Sequence, residues 1–546
     1  MAFEIDHDWQ GNLATPVARI GEKAKTKLLV LLCIIWVILG IFGHQPWKPY
    51  EASSVSIIKN MLDQQLWLTA TAASQTSLEN PPLFYWSAAL FSQLLSPILS
   101  LHDAARVASA FWMSLTLLVV GMIGREIWGQ GLGRQTSFIF ISSVGLIAVA
   151  HSLSPALPAL TGSAMGLYSL ALARRRPFRA SALLGCGIGI SFLATGLMPA
   201  LISVVSALLL PLFFKAWRSK SYAIVLGLAL LISMPWLLLW PAALWQVAPN
   251  QLITWWQTQL VFSNSTHVDL LRTIAWGAWP SLPLAAWGLW HYRNALINKP
   301  KFQLIITYFI VALGLIGFSS LNEAPALTLL LPLTLLAGGT VETLKRGAAG
   351  ALNWFGLFAF GLAGSLIWLG WIAFTTGWPE RLSVRMHVLS GLNSTDINII
   401  SLTAAILASL VWIATINTKR SNRAAITDWA VGITMVWSLL MTLWLPLIDN
   451  AKSYYPVARA LKQNLPKNHG CINSIMGNDQ ADLMHYYINL KTKHIDSPNQ
   501  FSCDLLLIQA DKKHEKISLN DDWKLIWQGK RPADRNERFR LYQRKQ

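Results

Sequence analysis

The chain consists mainly of long apolar runs separated by short polar stretches. A membrane-spanning helix needs about 20 mainly apolar residues, and about thirteen runs approach this length. The pattern therefore predicts a polytopic α-helical membrane protein, although 180–214 is also compatible with one kinked hairpin and 325–340 is short. The predicted spans are 28–42, 105–124, 136–150, 157–173, 180–196, 199–214, 222–242, 270–290, 302–319, 325–340, 351–374, 398–416 and 427–447.

The basic residues lie at the ends of these runs and favour one side. Lysines at 23, 25 and 27 precede the first run, and Arg174–Arg176 and Lys345–Arg346 fall on the same side of the membrane if the runs alternate. Cytoplasmic loops collect Lys and Arg. We therefore expect a multi-pass protein of the bacterial inner membrane, with a cytoplasmic N-terminus and a periplasmic C-terminal segment.

This topology divides the chain into a cytoplasmic segment 1–27, a transmembrane domain 28–448 and a periplasmic domain 449–546. The first periplasmic loop covers 44–104. In the last segment, helical spacing at 454–464 and 480–489 alternates with apolar or alternating runs typical of strands. We therefore predict a small α/β domain there. Its predicted strands are 471–476, 503–509, 523–528 and 539–543.

Composition supports this interpretation. Among 546 residues, 53% are hydrophobic, only 13% are charged and 27 are tryptophan, whereas soluble domains carry about 25% charged residues. The net charge of +18 is distributed over the ends of apolar runs and forms no single basic stripe. The basic residues are thus expected to meet membrane lipids, and no nucleic-acid partner is predicted.

The four cysteines separate by compartment. Cys33 and Cys186 lie within predicted spans and are interpreted as packing residues. Cys471 and Cys503 are the two cysteines of the last segment, beside predicted strands on the oxidising side. We expect a disulfide between them; metal ligation together with nearby histidines is the alternative.

The first outer loop carries three motifs. Pro49-Tyr50-Glu51 opens an amphipathic stretch, with apolar positions at Val55 and Ile58, that is expected to lie at the outer membrane interface. Leu66-Trp67-Leu68-Thr69 follows, and then Glu79-Asn80-Pro81-Pro82-Leu83-Phe84-Tyr85-Trp86. These motifs, the number of spans and the final domain resemble the GT-C membrane glycosyltransferases, specifically the protein O-mannosyltransferase and lipid A aminoarabinose transferase group.

The resemblance implies a GT-C-like fold and transfer of a sugar from a polyprenyl-phosphate donor to a lipid or glycan acceptor. In that family an aspartate of the first loop and a lysine before Pro-Pro are tied to the chemistry, with a divalent metal nearby in some members. This chain departs from the pattern: Tyr50 stands at the aspartate position, Asn80 at the lysine position and Ser53 at an arginine position. His151 and Thr195 lie where relatives often carry charged residues.

The remaining polar residues are the candidates for a site. Glu51 is the expected principal acid, or else an acid that caps its helix, and Glu79 is a second acid or a loop carboxylate. Arg106 either binds phosphate or pairs with Asp103. The other candidates for donor or phosphate binding are His151, His267, Arg272, Tyr85, Tyr50 and Asn80. Each of these side chains could instead pack against its neighbours or anchor the protein at the membrane interface.

Three functions follow from these observations. The first is a glycosyltransferase whose principal acid is Glu51. The second is a non-catalytic relative that binds polyprenyl lipid or a partner enzyme, which the changed motif positions motivate. The third is a lipid or glycan transporter. The resemblance suggests a divalent metal, and no other cofactor is predicted.

Overall fold

The structure is a computed structural model, and it describes residues 22–73, 78–129, 131–259, 267–317, 326–416, 421–466, 470–495, 502–511, 522–534 and 536–545. The helices of the first half are α1 Glu22–Ile38, α2 Ala52–Gln64, α3 Leu83–Leu95, α4 Leu101–Trp128, α5 Leu132–Ile141, α6 Val144–Ala150, α7 Ala156–Leu172, α8 Pro177–Thr195, α9 Leu197–Phe213, α10 Lys220–Val247 and α11 Pro249–Gln259. Those of the second half are α12 His267–Gly277, α13 Ser281–His291, α14 Pro300–Gly317, α15 Leu330–Thr340, α16 Arg346–Thr376, α17 Glu380–Ser390, α18 Ile399–Ile416, α19 Asn422–Leu443, α20 Leu445–Lys452, α21 Tyr455–Asn464 and α22 Asn478–Ile488. The strands are β1 Ile472–Ile475, β2 Lys493–His494, β3 Leu505–Asp511, β4 Trp523–Gly529 and β5 Glu537–Arg544.

The helical bundle agrees with the membrane-spanning interpretation. Each of the thirteen predicted runs coincides with helical structure, and among the described residues seven helices are long and apolar enough to cross a membrane. The bent pair α5 and α6 forms one further candidate span. Shorter apolar helices, such as α1, α7 and α9, account for much of the remaining apolar sequence. The fold is thus that of a polytopic α-helical membrane protein.

Two predicted spans are broken. The run 270–290 is divided into α12 and α13 around Pro280, whose ring nitrogen has no hydrogen to donate to a continuing helix. The run 136–150 bends by 72° between α5 and α6. In contrast, 180–214 forms two helices that meet at Gly196, where the φ of +96° favours glycine. Apolar periodicity could not reveal these breaks because the residues on both sides are equally apolar.

The first outer loop lies between the bundle and the final domain. The apolar face of α2, which includes Val55 and Ile58, is completely buried. From its polar face Lys59 donates to the backbone carbonyls of His485 and Tyr486 at 3.2 and 3.0 Å. Helix α2 therefore has the predicted amphipathic pattern, but protein covers its polar side, which was expected to face water.

The final domain contains a five-stranded sheet in the order β2-β1-β3-β5-β4. Strand β1 is parallel to β2 and β3, whereas β5 is antiparallel to both of its neighbours. Phe539 and Leu541 of β5 are fully buried, whereas the residue between them is only partly buried, so one face of β5 belongs to the core of the domain. A disulfide joins Cys471 to Cys503, with a Cα–Cα distance of 5.3 Å, next to the paired strands β1 and β3.

Candidate functional site

Arg106, near the start of α4, is the centre of the polar network beneath the first outer loop. Its side chain is completely buried, and a buried guanidinium needs charged and hydrogen-bonding partners. Its Nε donates to Glu51 Oε1 at 2.7 Å, its Nη2 to Glu51 Oε2 at 3.0 Å and its Nη1 to Asp103 Oδ1 at 2.9 Å. The backbone oxygens of His44 and Gln45 accept further hydrogen bonds from it. Of the two predicted roles of Arg106, the structure shows the pairing role, with Glu51 as the main partner.

Both carboxylate oxygens of Glu51 accept hydrogen bonds within this network. Its carboxylate is 2% exposed and also accepts hydrogen bonds from the backbone nitrogens of Trp47 at 2.9 Å and Leu153 at 3.2 Å. Burial by itself raises the pKa of Glu51, but the charge and hydrogen bonds of Arg106 outweigh it and lower the pKa to about 2. Such a carboxylate remains ionised, and both of its oxygens accept hydrogen bonds from protein groups. This geometry gives Glu51 a structural partner in Arg106, and its catalytic role stays a prediction.

His44 and Asp449 complete the network, although neither was a candidate from the sequence. Burial and the neighbouring Arg106 lower the pKa of His44, so its ring is neutral at physiological pH. Its Nε2 lies 3.1 Å from the Gly40 carbonyl and its Nδ1 lies 3.1 Å from Arg106 Nη2. Asp449 Oδ1 accepts from the Trp47 indole at 2.9 Å. No local motif marks these residues, because their partners are distant in sequence.

A cavity of about 490 Å³ lies beside this network. Its polar groups come from Tyr50, which precedes Glu51, and from Arg272 and Thr273 of α12. Apolar residues form the rest of the wall. They are Val144, Ala148 and Val149 of α6, Ile274, Trp276 and Ala278 at and after α12, and Ala326, Leu327, Leu329, Leu330 and Leu333 at and before α15, together with Gly145 and Gly277.

Glycine permits the helix contact that shapes this cavity. A Cβ atom on Gly145 would lie 2.7 Å from the Cα of Gly277, so glycine at position 145 allows α6 to approach the end of α12 this closely. The contact places Arg272 at the cavity wall. The chain thus builds an apolar cavity with a single described cationic side chain in its lining, and this arrangement suits an amphipathic anion.

The other predicted residues are distributed around the loop. Glu79 is exposed in the segment before α3, and its charge influences the buried Tyr85. The Tyr85 hydroxyl is hydrogen-bonded to Asn80 and Ser54, so Tyr85 connects α3 both to α2 and to the segment that precedes α3. Neither Glu79 nor Tyr85 belongs to the cavity lining.

The two predicted histidines, His151 and His267, are not among the described residues that line the cavity. His151 is buried between the rings of Trp36 and Trp437, at centroid distances of 4.8 and 4.5 Å. Its ring nitrogens lie 2.6 Å from the Trp36 carbonyl and 2.7 Å from the Ile147 carbonyl. His151 therefore packs within the protein, which was the alternative to a role in donor binding. His267 begins α12, and its side chain falls outside the part of the chain that the structure describes.

The described residues contain no group of three or more His, Cys, Asp or Glu side chains arranged to hold a metal ion. The structure therefore assigns no ligands to the divalent metal that the resemblance suggested.

Comparison with known proteins agrees with this architecture. No protein-family model matches the chain. One relative is an undecaprenyl phosphate-alpha-4-amino-4-deoxy-L-arabinose arabinosyl transferase of Pseudomonas paraeruginosa, which is 26% identical over 371 residues. The match covers 63% of this chain and 64% of the relative, so the chain spans less than two thirds of the length of the relative.

The crystal structure of ArnT from Cupriavidus metallidurans in the apo state superposes with a TM-score of 0.68 at 15% identity, covering 95% of this chain and 98% of ArnT. The structure of the same protein bound to undecaprenyl phosphate gives a TM-score of 0.65 at 15% identity, with the same coverage. The resemblance found in the first outer loop is therefore confirmed, and the chain is a membrane-embedded protein with the GT-C fold of the aminoarabinose transferase group.

Proposed function

We propose that this protein is an inner-membrane glycosyltransferase that moves a sugar from a polyprenyl-phosphate donor to a lipid or glycan acceptor. The observation that carries the proposal is the apolar cavity with Arg272 in its wall, within a fold whose relative ArnT has been crystallised with undecaprenyl phosphate. The relatives named as arabinosyl transferases support the same reaction class.

The chemistry of a lipid-linked donor matches the cavity. Its prenyl chain would lie against the leucine and valine side chains of α6 and 327–333, where it is removed from water. Its phosphate would lie at Arg272, whose planar fork of donors fits phosphate oxygens. Tyr50 and Thr273 supply further polar groups that orient the head of the donor.

In the transfer step, an acceptor oxygen forms a bond to the anomeric carbon while the bond from that carbon to the phosphate oxygen breaks. The polyprenyl phosphate departs with the electron pair, and Arg272 stabilises the charge that develops on it. The acceptor proton passes to a base, for which exposed Glu79 is the candidate in the first loop. Glu51 acts as a positioning residue, because the ion pair with Arg106 fixes the backbone next to Tyr50.

We further propose the orientation that the basic residues indicate, with the N-terminus cytoplasmic and 449–546 periplasmic. The described contacts between Lys59 and the backbone of α22 are consistent with a shared compartment for the first loop and the final domain. A periplasmic reporter fused after Gln546 is expected to be active, and activity of a cytosolic reporter alone would overturn this orientation.

The function is tested by measuring transfer of a labelled sugar in bacterial membranes that contain Arg272→Gln. Losing one charged donor at the leaving group is expected to reduce transfer about 30- to 1,000-fold, corresponding to roughly 2–4 kcal/mol. The matched control is Arg293→Gln, because Arg293 stacks on Trp290 and lies outside the cavity lining. Equal activity of the two variants would remove Arg272 from the mechanism.

Two further measurements distinguish the other two functions from the transferase. Donor binding without turnover, followed by turnover after the double change Tyr50→Asp with Asn80→Lys, would identify a non-catalytic relative. Movement of a lipid or glycan across vesicles that does not depend on Arg272 would identify a transporter.

A further inference from the structure

A second, smaller cavity lies among three membrane helices, at some distance from the proposed donor site. It has a volume of about 40 Å³ and lies between α16, α18 and α19. Of these helices, α19 leads into α20, where Asp449 contacts the first outer loop. The small cavity is near the other end of α19, so the two cavities belong to opposite sides of the membrane. Its walls are formed by Asn353, Trp354, Gly356, Leu357, Trp412, Thr415, Ile416, Asp428 and Trp429.

Asp428 is the charged group of this cavity. It lies six residues after the start of α19 at Asn422, about 9 Å along the helix axis, and its side chain is half-buried. Among the described residues Asp428 forms no ion pair and no hydrogen bond. A carboxylate in a membrane helix is costly to bury and calls for a cationic partner.

Three tryptophans line the cavity together with this carboxylate, and the packing of the helices fixes the position of Trp429. The indole nitrogen of Trp429 donates to the Leu352 carbonyl at 2.9 Å. A Cβ atom on Gly356 would come within 2.8 Å of the same indole nitrogen, so glycine is needed for the ring to lie this close to α16. Trp354 and Trp412 line the remaining sides. Aromatic faces attract cations, and tryptophan does so most strongly.

The cavity opens towards lipid. Trp354 is 48% exposed and Ile416 is 43% exposed, and most of α18 has no protein neighbour on its outer side. A ligand therefore enters from the bilayer. The volume exceeds that of a single water, for which about 10–15 Å³ suffices, but it has no space for a bulky group.

We propose that this cavity binds the primary ammonium group of an ethanolamine phospholipid from the leaflet opposite to the donor site. The ammonium donates hydrogen bonds to Asp428, and its charge lies against the faces of Trp354, Trp412 and Trp429. A trimethylammonium headgroup is too large for the cavity and has no N–H to donate. An anionic headgroup is repelled by the carboxylate. The proposal does not depend on the glycosyltransferase function.

The test is native mass spectrometry of the full-length protein, which measures the affinity for short-chain phosphatidylethanolamine, phosphatidylglycerol and phosphatidylcholine. We expect phosphatidylethanolamine to bind at least tenfold more tightly than the other two. Asp428→Asn should abolish this preference. Asp396→Asn is the matched control, because Asp396 is an exposed loop residue outside the cavity, and it should retain the preference.

A second variant pair tests the aromatic wall without altering the charge. Trp354→Phe should keep most of the preference for phosphatidylethanolamine, whereas Trp354→Leu should reduce it several-fold. A preference that persists in Asp428→Asn would overturn the proposal, as would equal binding of the three lipids by the unaltered protein. Free ethanolamine distinguishes the source of the ammonium group: if it displaces no lipid at millimolar concentration, the lipid is the ligand. If it binds in preference to the lipid, the lipid proposal is wrong.

Discussion

Replacement of Glu51 by glutamine would test whether this residue holds the structure together or acts in catalysis. The change keeps the shape of the side chain but removes the charge that compensates the buried Arg106. Breaking a buried ion pair by removing one partner costs about 3–5 kcal/mol. The lowered pKa of Glu51 leads to a similar value, because a fall from 4.5 to about 2 corresponds to about 3 kcal/mol at neutral pH.

The assay is thermal unfolding of the purified protein in detergent, followed by tryptophan fluorescence. Glu126→Gln is the matched control, since Glu126 pairs with Arg175, whose side chain is 62% exposed, and a surface pair contributes only about 0–1 kcal/mol. We expect Glu51→Gln to lower the melting temperature clearly and the control hardly at all. The double change Glu51→Gln with Arg106→Met should recover part of the loss, because no unpaired charge remains.

The contribution of Glu51 to the stability of the protein should change with pH in a defined direction. The folded-state pKa of Glu51 lies below its unfolded value, so its contribution to stability is complete above pH 4.5 and is lost as the pH falls towards 2. In Glu51→Gln this part of the acid sensitivity should be absent. If Glu51→Gln is as stable as the control variant but has lost sugar transfer, the structural role assigned here is refuted and the catalytic one is restored.

Three further predictions concern other parts of the molecule. Cys471→Ser opens a disulfide between residues 32 positions apart, which should destabilise the final domain by about 3–4 kcal/mol and increase its cleavage by protease, whereas Cys186→Ser should not. Asp449→Asn weakens the hydrogen bonds to Gln45 and Trp47 and should lower stability by about 1–3 kcal/mol, measured by the same melting assay against Asp396→Asn. Gly145→Leu forces α6 away from Gly277 and should weaken donor binding at least tenfold. Gly314→Leu is the control, because a Cβ atom there meets no atom within 4 Å. Unchanged donor affinity in Gly145→Leu would exclude the cavity as the donor site.

The sequence predicted the elements of the fold well and the contacts of the site poorly. Apolar runs located the membrane helices and the strand predicted at 503–509, and alternation located strands such as 539–543, because both patterns are local in the sequence. The ion pair between Glu51 and Arg106 joins residues 55 positions apart. No periodicity encodes such a pair, so Glu51 was assigned to chemistry on the basis of its motif neighbours. Arg272 became a candidate because it follows a loop that was expected to be periplasmic, and its place in the cavity lining keeps it a candidate.

The hydrogen bond from the Gln45 amide to Asp449 spans 404 positions of the chain. During synthesis, the N-terminal loop would leave the membrane early, whereas its partner emerges only after the helices up to α19 have been made. The loop that carries Tyr50 and Glu51 therefore acquires its final support at a late stage of biogenesis. A nascent chain that stalls before α20 would lack the hydrogen bonds that Asp449 supplies to Gln45 and Trp47, so the segment that precedes Tyr50 would be held less firmly.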